Sequence, residues 1–273
     1  MKTILLFCIL CIVCINLFAQ KPIDELINTE KNFAATSKNK NTKTAFLSFV
    51  DSNCIGYHGG EEVNLFEDWS KREADSSKLT WAPKFTVISS SGDLGVTTGP
   101  WEYRQQSLND TPIAHGHFTT IWQKNSNGKW KAIFDMGIGY PQQQGNDHQI
   151  TELLLIKPST TEKETSALAR IDLDFSDAFE IDKKQSVSKV ITNDSWLSIH
   201  GNPPVKGASA INTFIDSYSA NIKFSLPEHS VFSKNMDMFA MYGKAQTGDT
   251  KQAYMRLWIK QGNKWKLLMM VIH

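Results

Sequence analysis

Residues 57–63 read YHGGEEV and residues 199–205 read IHGNPPV, so that His58-Gly59 stands 142 positions before His200-Gly201. A histidine with two glycines and two acids is what a catalytic loop would look like, and also what a turn would look like. The surrounding residues decide between them. At the same offset Phe33 meets Phe175, Asp51 meets Asn193 and Val63 meets Val205. Farther on, DLGVTTG (93–99) is answered by DMFAMYG (237–243) at an offset of 144, and the pair Trp122/Trp130 by Trp258/Trp265. Landmarks that recur in one order describe two tandem copies of a single domain. The shared His-Gly then marks a turn in which glycine supplies a positive φ. The acids beside it do not recur: Glu61-Glu62 becomes Pro203-Pro204. Tyr57 and His58 remain candidates only for the mouth of a pocket.

Each copy follows one plan. A stretch with apolar residues at three and four spacing opens it, near residues 23–39 and 167–183, and predicts a helix. A second short helix follows (TKTAFLSFV, KQSVSKVIT), then a strand into the His-Gly turn, then another helical segment. FTVISS, LGVTTGPWEY, GHFTTIWQK and KWKAIFDMGI are β-branched or aromatic runs separated by SGD, LND and NSNG, which are turn compositions. Helices first and an antiparallel meander after make an α+β plan, and a curved sheet wrapped on a helix encloses a cavity. Pro158 and the Ser, Thr, Glu and Lys after it read as a linker. The expected organisation is a signal peptide over 1–19, a first domain over 20–150, a linker over 151–164 and a second domain over 165–273.

The opening MKTILLFCILCIVCINLFAQ has a lysine, an apolar run from Ile4 to Val13 and a small residue at Ala19, the pattern of a secretory leader cleaved after Ala19. The expected location is therefore periplasmic or secreted, with a lipoprotein anchor on Cys11 or Cys14 as the alternative. No other stretch approaches the ~20 apolar residues of a membrane span. Three of the four cysteines lie in the leader, so Cys54 alone would remain, without an intramolecular disulfide partner. Without Lys2 the basic residues number 28 against 28 acidic, a balance that gives no pull toward nucleic acid.

With these elements in place, TWAPKFTVISSSGDLGVTTGPWEY followed by GHFTTIWQKNSNGKWKAIFDMGI resembles the SnoaL-like, nuclear-transport-factor-2-like superfamily, in particular its exported bacterial branch of unknown function. The likeness covers most of residues 25–139. The second copy keeps the His-Gly turn and a final W-I-K-x-G-N-K-W hairpin but lacks the Trp-x-Pro and Gly-Asp-Leu-Gly segments, as a degenerate copy would. The resemblance implies a cystatin-like roll in each copy, a cone of helices on a strongly curved antiparallel sheet with an apolar pocket at its open end. It does not imply one activity, since such cones serve isomerases, dehydratases, cyclases, binding proteins and dimerisation modules.

Cone enzymes of this kind move protons in an apolar pocket, where a desolvated Asp or His titrates near the working pH. In GHFTTIWQK alternation sets His115, His117, Thr119 and Ile121 on one face and Phe118, Thr120 and Trp122 on the other. Asp135 interrupts the apolar final strand. Asp135 and His117 are the candidate catalytic pair, and Trp81, Trp101, Tyr103, His115 and Thr119 join Tyr57 and His58 as candidate ligand contacts. Asp93 and Asp237 read as turn caps, and Cys54 as a buried small side chain. The seven histidines form no metal-ligating spacing beyond the HxH of His115 and His117, and no P-loop, GxGxxG or GxSxG occurs, so neither metal nor cofactor is expected. Two functions follow: binding of a small apolar or amphipathic molecule in the first cone, or cofactor-free acid/base catalysis by Asp135 and His117. A ligand-free pairing module is the third. The two copies are expected to pack as an intramolecular pseudo-dimer, in a monomeric chain or a larger assembly.

Overall fold

A computed structural model describes residues 22–141, 149–158 and 164–273. The leader expected over residues 1–19 lies outside the described residues. The first copy begins with helix α1 (22–39), whose buried positions Ile23, Leu26, Ile27, Glu30, Phe33 and Ser37 keep the three-and-four spacing of a single stripe. Helix α2 (Thr42–Phe49) starts at Asn41, whose side chain accepts from the Thr44 amide at 2.7 Å. Strand β1 (Val50–His58) turns through Gly59 and Gly60 into β2 (Glu61–Asn64), and α3 (Leu65–Lys71) follows. Then come β3 (Lys78–Trp81), β4 (Phe85–Ile88), β5 (Leu94–Arg104), β6 (Ala114–Lys124), β7 (Trp130–Gly139) and β8 (Thr151–Leu154). The strand order is β2-β1-β7-β6-β5-β4-β8, with β3 also pairing β5. Neighbours are antiparallel except β1–β7 and β4–β8. Strand β8 comes from the stretch read as linker and extends the first sheet.

The second copy repeats the order: α4 (Thr165–Ile181), α5 (Lys183–Val190), β9 (Trp196–Ile199), β10 (Val205–Lys206), α6 (Ala208–Ser217), β11 (Ile222–Phe224), β12 (His229–Phe232), β13 (Met238–Thr247), β14 (Thr250–Gln261) and β15 (Lys264–Ile272). Its sheet runs β10-β9-β15-β14-β13-β11, with β12 on β13. The fold is α+β, two tandem rolls of helices on strongly curled sheets. No helix among the described residues is long and apolar enough to cross a membrane.

Three apolar clusters hold the molecule. Two lie between the helices and sheet of each copy, around Phe33 and Trp122 in the first and Phe175 and Trp258 in the second. The third joins the copies: Val87, Val96, Ile121, Phe134, Met136 and Ile138 of the first sheet pack on Ala240, Tyr242, Met255, Leu257, Met269 and Val271 of the second. The sheets therefore meet face to face, and the helices of each copy lie on its far side.

The turns at the seam are reciprocal. Asp237 Oδ2 accepts the Ser90 amide at 2.8 Å, while Asp93 accepts the Lys234 amide at 3.3 Å, and 144 residues separate both donors and both acceptors. Such a contact, with i on j and j on i, is the mark of a two-fold interface. Asp93 and Asp237 also cap their own turns, through Ser89 and Ser233 respectively.

Candidate functional site

The quoted stretch is a two-residue hairpin. Gly59 and Gly60 have φ of +58° and +78°, the left-handed pair that such a loop requires. A Cβ on Gly60 would lie 2.7 Å from the Lys251 carbonyl carbon, so the tip also presses on β14. Gly201 repeats the positive φ at +84°. The acids that follow are seam contacts. Glu61 Oε1 receives Lys251 Nζ at 2.6 Å, Glu62 meets His229 Nε2 at 2.7 Å, and Tyr57 donates to Glu228 Oε2 at 3.2 Å. Every partner belongs to the second copy. Glu61 and Glu62 thus have no second-copy equivalents because their work is to bind that copy. His58 is exposed.

A cavity of about 620 Å³ opens between the helices and the sheet of the first copy. Aromatic rings from four directions wall it: Phe33 from α1, Phe46 from α2, Trp69 from α3 and Trp81, Trp101 and Phe118 from the sheet, with Tyr103 beside them. Phe33 packs edge-on to Trp81 at 4.8 Å and Phe46 stacks on Trp69 at 4.5 Å between ring centres. Trp101 lies flat on the sheet because two neighbours lack side chains. A Cβ would fall 2.6 Å from its ring at Gly116 and 3.1 Å at Gly137.

Three acids line the cavity: Glu73 and Asp75 are exposed, whereas Asp135 is sheltered in the sheet wall. Its side chain points to the helices because of a β-bulge. Ile121 pairs Phe134 but Trp122 pairs Ala132, which leaves Ile133 without a partner and reverses the alternation of β7 beyond it. Thr120 is directly opposite, and its hydroxyl donates to Asp135 Oδ1 at 2.5 Å. Burial pushes Asp135 up to about 7; the Thr120 hydrogen bond opposes this and the charge of Glu30 adds to it.

His117 is not in this cavity. Alternation on β6 sends it to the seam, where it is 2 % exposed and stacks on Trp196 of the second copy at 5.7 Å. The expected His117–Asp135 pair is therefore a correction: the two residues stand on opposite faces of the sheet. Neither His117 ring nitrogen has a hydrogen-bond partner among the described residues, and burial holds the imidazole down at about 3. Thr119 shares that face and bonds Thr98 at 3.1 Å. His115 sits near Tyr140, 6.0 Å between ring centres. Tyr57 is in the seam cluster. Of the residues singled out in the sequence, Asp135, Trp81, Trp101 and Tyr103 line the cavity, whereas Tyr57, His58, His115, His117 and Thr119 do not. Cys54 is buried and free, its thiol pushed up by burial. No group of three metal-ligating side chains occurs among the described residues.

Glu30 is a site residue that carries no motif in the sequence. Fully buried on α1, it accepts from Trp81 Nε1 at 2.6 Å, Thr97 Oγ1 at 2.5 Å and Trp122 Nε1 at 3.1 Å, and so fixes the Trp81 wall of the cavity. The offset of 142 that pairs Phe33 with Phe175 also pairs Glu30 with Asp172. Asp172 accepts from Trp258 Nε1 at 2.7 Å and, on both oxygens, from Arg256 at 2.8 and 2.5 Å. Arg256 is itself fully buried.

No protein-family model and no curated protein matches the chain. Solved structures do. A nuclear-transport-factor-2-like protein of unknown function from Shewanella oneidensis is 19 % identical, covering 42 % of this chain and 98 % of its own, with a TM-score of 0.35. Nuclear transport factor 2 from Cryptosporidium parvum is 10 % identical, at 42 % and 97 % coverage and a TM-score of 0.35. A nuclear-transport-factor-2-like protein with a cystatin-like fold from Novosphingobium aromaticivorans is 8 % identical, at 46 % and 86 % coverage and a TM-score of 0.37.

Proposed function

We propose that the first copy binds a small amphipathic molecule in its aromatic cavity and that the second copy is its structural partner. The observation that carries this is the placement of Asp135, hydrogen-bonded by Thr120, among the aromatic rings of the inner wall of a 620 Å³ space whose remaining lining includes Lys43, Arg72, Glu73 and Asp75. A concave, mainly apolar site with a few converging polar groups is the usual form of a small-molecule site. In the second copy the Arg256–Asp172 pair fills the corresponding interior. The leader read over residues 1–19 would put this binding outside the cytoplasm.

A second reading is proton transfer by Asp135. Its titration near 7 suits either direction of transfer at neutral pH, and it favours the acid/base alternative over a passive pocket. His117 has no part in it.

Trp69, Trp81 and Trp101 make the test direct. A panel of aromatic metabolites should change tryptophan emission and raise the melting temperature of the native chain, and Ala114→Trp, which fills the cavity mouth, should suppress both. A panel without effect on the wild type would overturn the binding reading. Asp135→Asn that binds normally but no longer turns over a ligand would assign the chemistry to Asp135.

A further inference from the structure

The two copies can be compared position by position, because the same bulge sets their register. Leu257 pairs Met269 and Trp258 pairs Leu267, as Ile121 pairs Phe134 and Trp122 pairs Ala132. Arg256 opposite Met270 therefore stands where Thr120 stands opposite Asp135. The Arg256 guanidinium lies against Asp172 and is ringed by Tyr254, Phe224 and Phe175 at 4.4, 4.5 and 5.3 Å. It is a cation in an aromatic cage with an acid beside it.

The first copy keeps two rings of the cage and has Thr120 in place of the cation. Phe118 and Phe33 take the places of Tyr254 and Phe175, and both line the cavity. Of the carboxyls at the cavity Glu73 and Asp75 are exposed; the sheltered ones are Asp135 in the wall and Glu30 behind Trp81, and neither of these two has a cationic partner among the described residues. Of the two cations that line the cavity, Arg72 meets Asp68 at 2.5 Å and lies over Trp69, and Lys43 Nζ donates to the backbone carbonyls of Ser70 and Arg72.

We infer that the ligand of the first cavity is an organic cation with a guanidinium, amidinium or amine head on an apolar body, its charge taking the place that Arg256 fills in the second copy. This rests on the reading of the cavity as a ligand site. The head would lie over Thr120 between the rings of Phe33 and Phe118, with the Asp135 carboxylate as its counter-ion. The rings attract a cation through their faces, and the two carboxyls, now repelling each other, would both be stabilised by it.

The test is calorimetric titration of the full chain at pH 8 with 2-naphthamidine, a planar cation, and 2-naphthamide, its neutral isostere. The amidinium should bind about tenfold or more tightly than the amide, a difference that one desolvated charge contact supplies. Asp135→Asn should bring the ratio close to one while keeping amide binding, which also shows that the variant is folded. At pH 6.5 the heat should vary with buffer ionisation, since binding the cation releases the Asp135 proton. Equal or tighter binding of the amide would overturn the inference and leave the cavity a ligand site. Failure of both probes and of the wider aromatic panel would overturn both readings.

Discussion

Asp135 and His117 flank the same strand pair, and burial moves them in opposite directions, so their effects on stability carry opposite signs. The carboxyl of Asp135 rises from 3.8 to about 7. Between those values the folded protein keeps a proton that the unfolded chain has released, so stability falls as pH climbs from about 4 to 7. Asp135→Asn removes this loss. Thermal melts should show the variant close to wild type at pH 4 and several degrees more stable at pH 8; an unchanged difference across that range would contradict the buried placement. For His117 the imidazole falls from 6.5 to about 3, and His273 falls to about 4 for the same chief reason, burial. Here the unfolded chain takes the proton first, so stability is lost as pH drops from about 6.5 toward 3. His117→Phe keeps a ring on Trp196 and removes one such group. The acid-unfolding midpoint followed by circular dichroism should move to lower pH, and a midpoint that stays in place would remove His117 from the account of acid lability.

At the scale of elements, one acid on the first helix of each copy organises the interior in two ways. Glu30 gathers two indoles and a hydroxyl beside a cavity; Asp172 gathers an indole and a buried guanidinium. Removing Asp172 alone strands a buried arginine, a change that typically costs about 3–5 kcal/mol, whereas replacing both partners with apolar residues is often neutral. Urea melts should therefore show Asp172→Ala strongly destabilised and Asp172→Leu combined with Arg256→Met close to wild type. A small effect of Asp172→Ala would mean that Arg256 reaches water and that the interior of the second copy is open to solvent. The same elements show what could be read in the sequence. The 142-residue echo and the strand runs separated by turn residues identified the two α+β copies, because hydrophobic period and turn chemistry are local properties. Asp135, Trp81, Trp101 and Tyr103 were legible as an acid and aromatics in otherwise apolar strands. The pairing of His117 with Asp135 was not predictable, because a bulge at Ile133 reverses the alternation and nothing in KWKAIFDMGI marks it. Glu30 was concealed in another way: one acid on a helical stripe looks like a solvated position until its counterpart Asp172 is noticed at the same offset.

Across the whole molecule, the two copies serve each other unequally. The seam buries Val87, Ile121, Phe134, Met136 and Ile138 of one sheet under Tyr242, Met255, Leu257 and Met269 of the other, and neither face has another cover among the described residues. Exposed together, either set would be an apolar patch larger than a soluble monomer ordinarily carries. Around this apolar centre the bonds are asymmetric. Glu61 and Glu62 of the first copy reach Lys251 and His229 of the second, while Pro203 and Pro204 at the matching positions carry no such groups. The reciprocal Asp93 and Asp237 contacts are what a symmetric pair of copies would make, and the Glu61 and Glu62 contacts select the unlike partner over a second like one. Residues 22–158 expressed alone should therefore aggregate or self-associate, and the same segment co-expressed with residues 164–273 should give a one-to-one complex by light scattering. Glu61→Lys with Glu62→Lys should weaken that complex, because like charges then face Lys251 and Lys244 across the seam and the Glu62–His229 contact is lost. A first segment that runs as a soluble monomer would show that the sheet face can meet water without its partner, and that the second copy is held for a reason other than covering it.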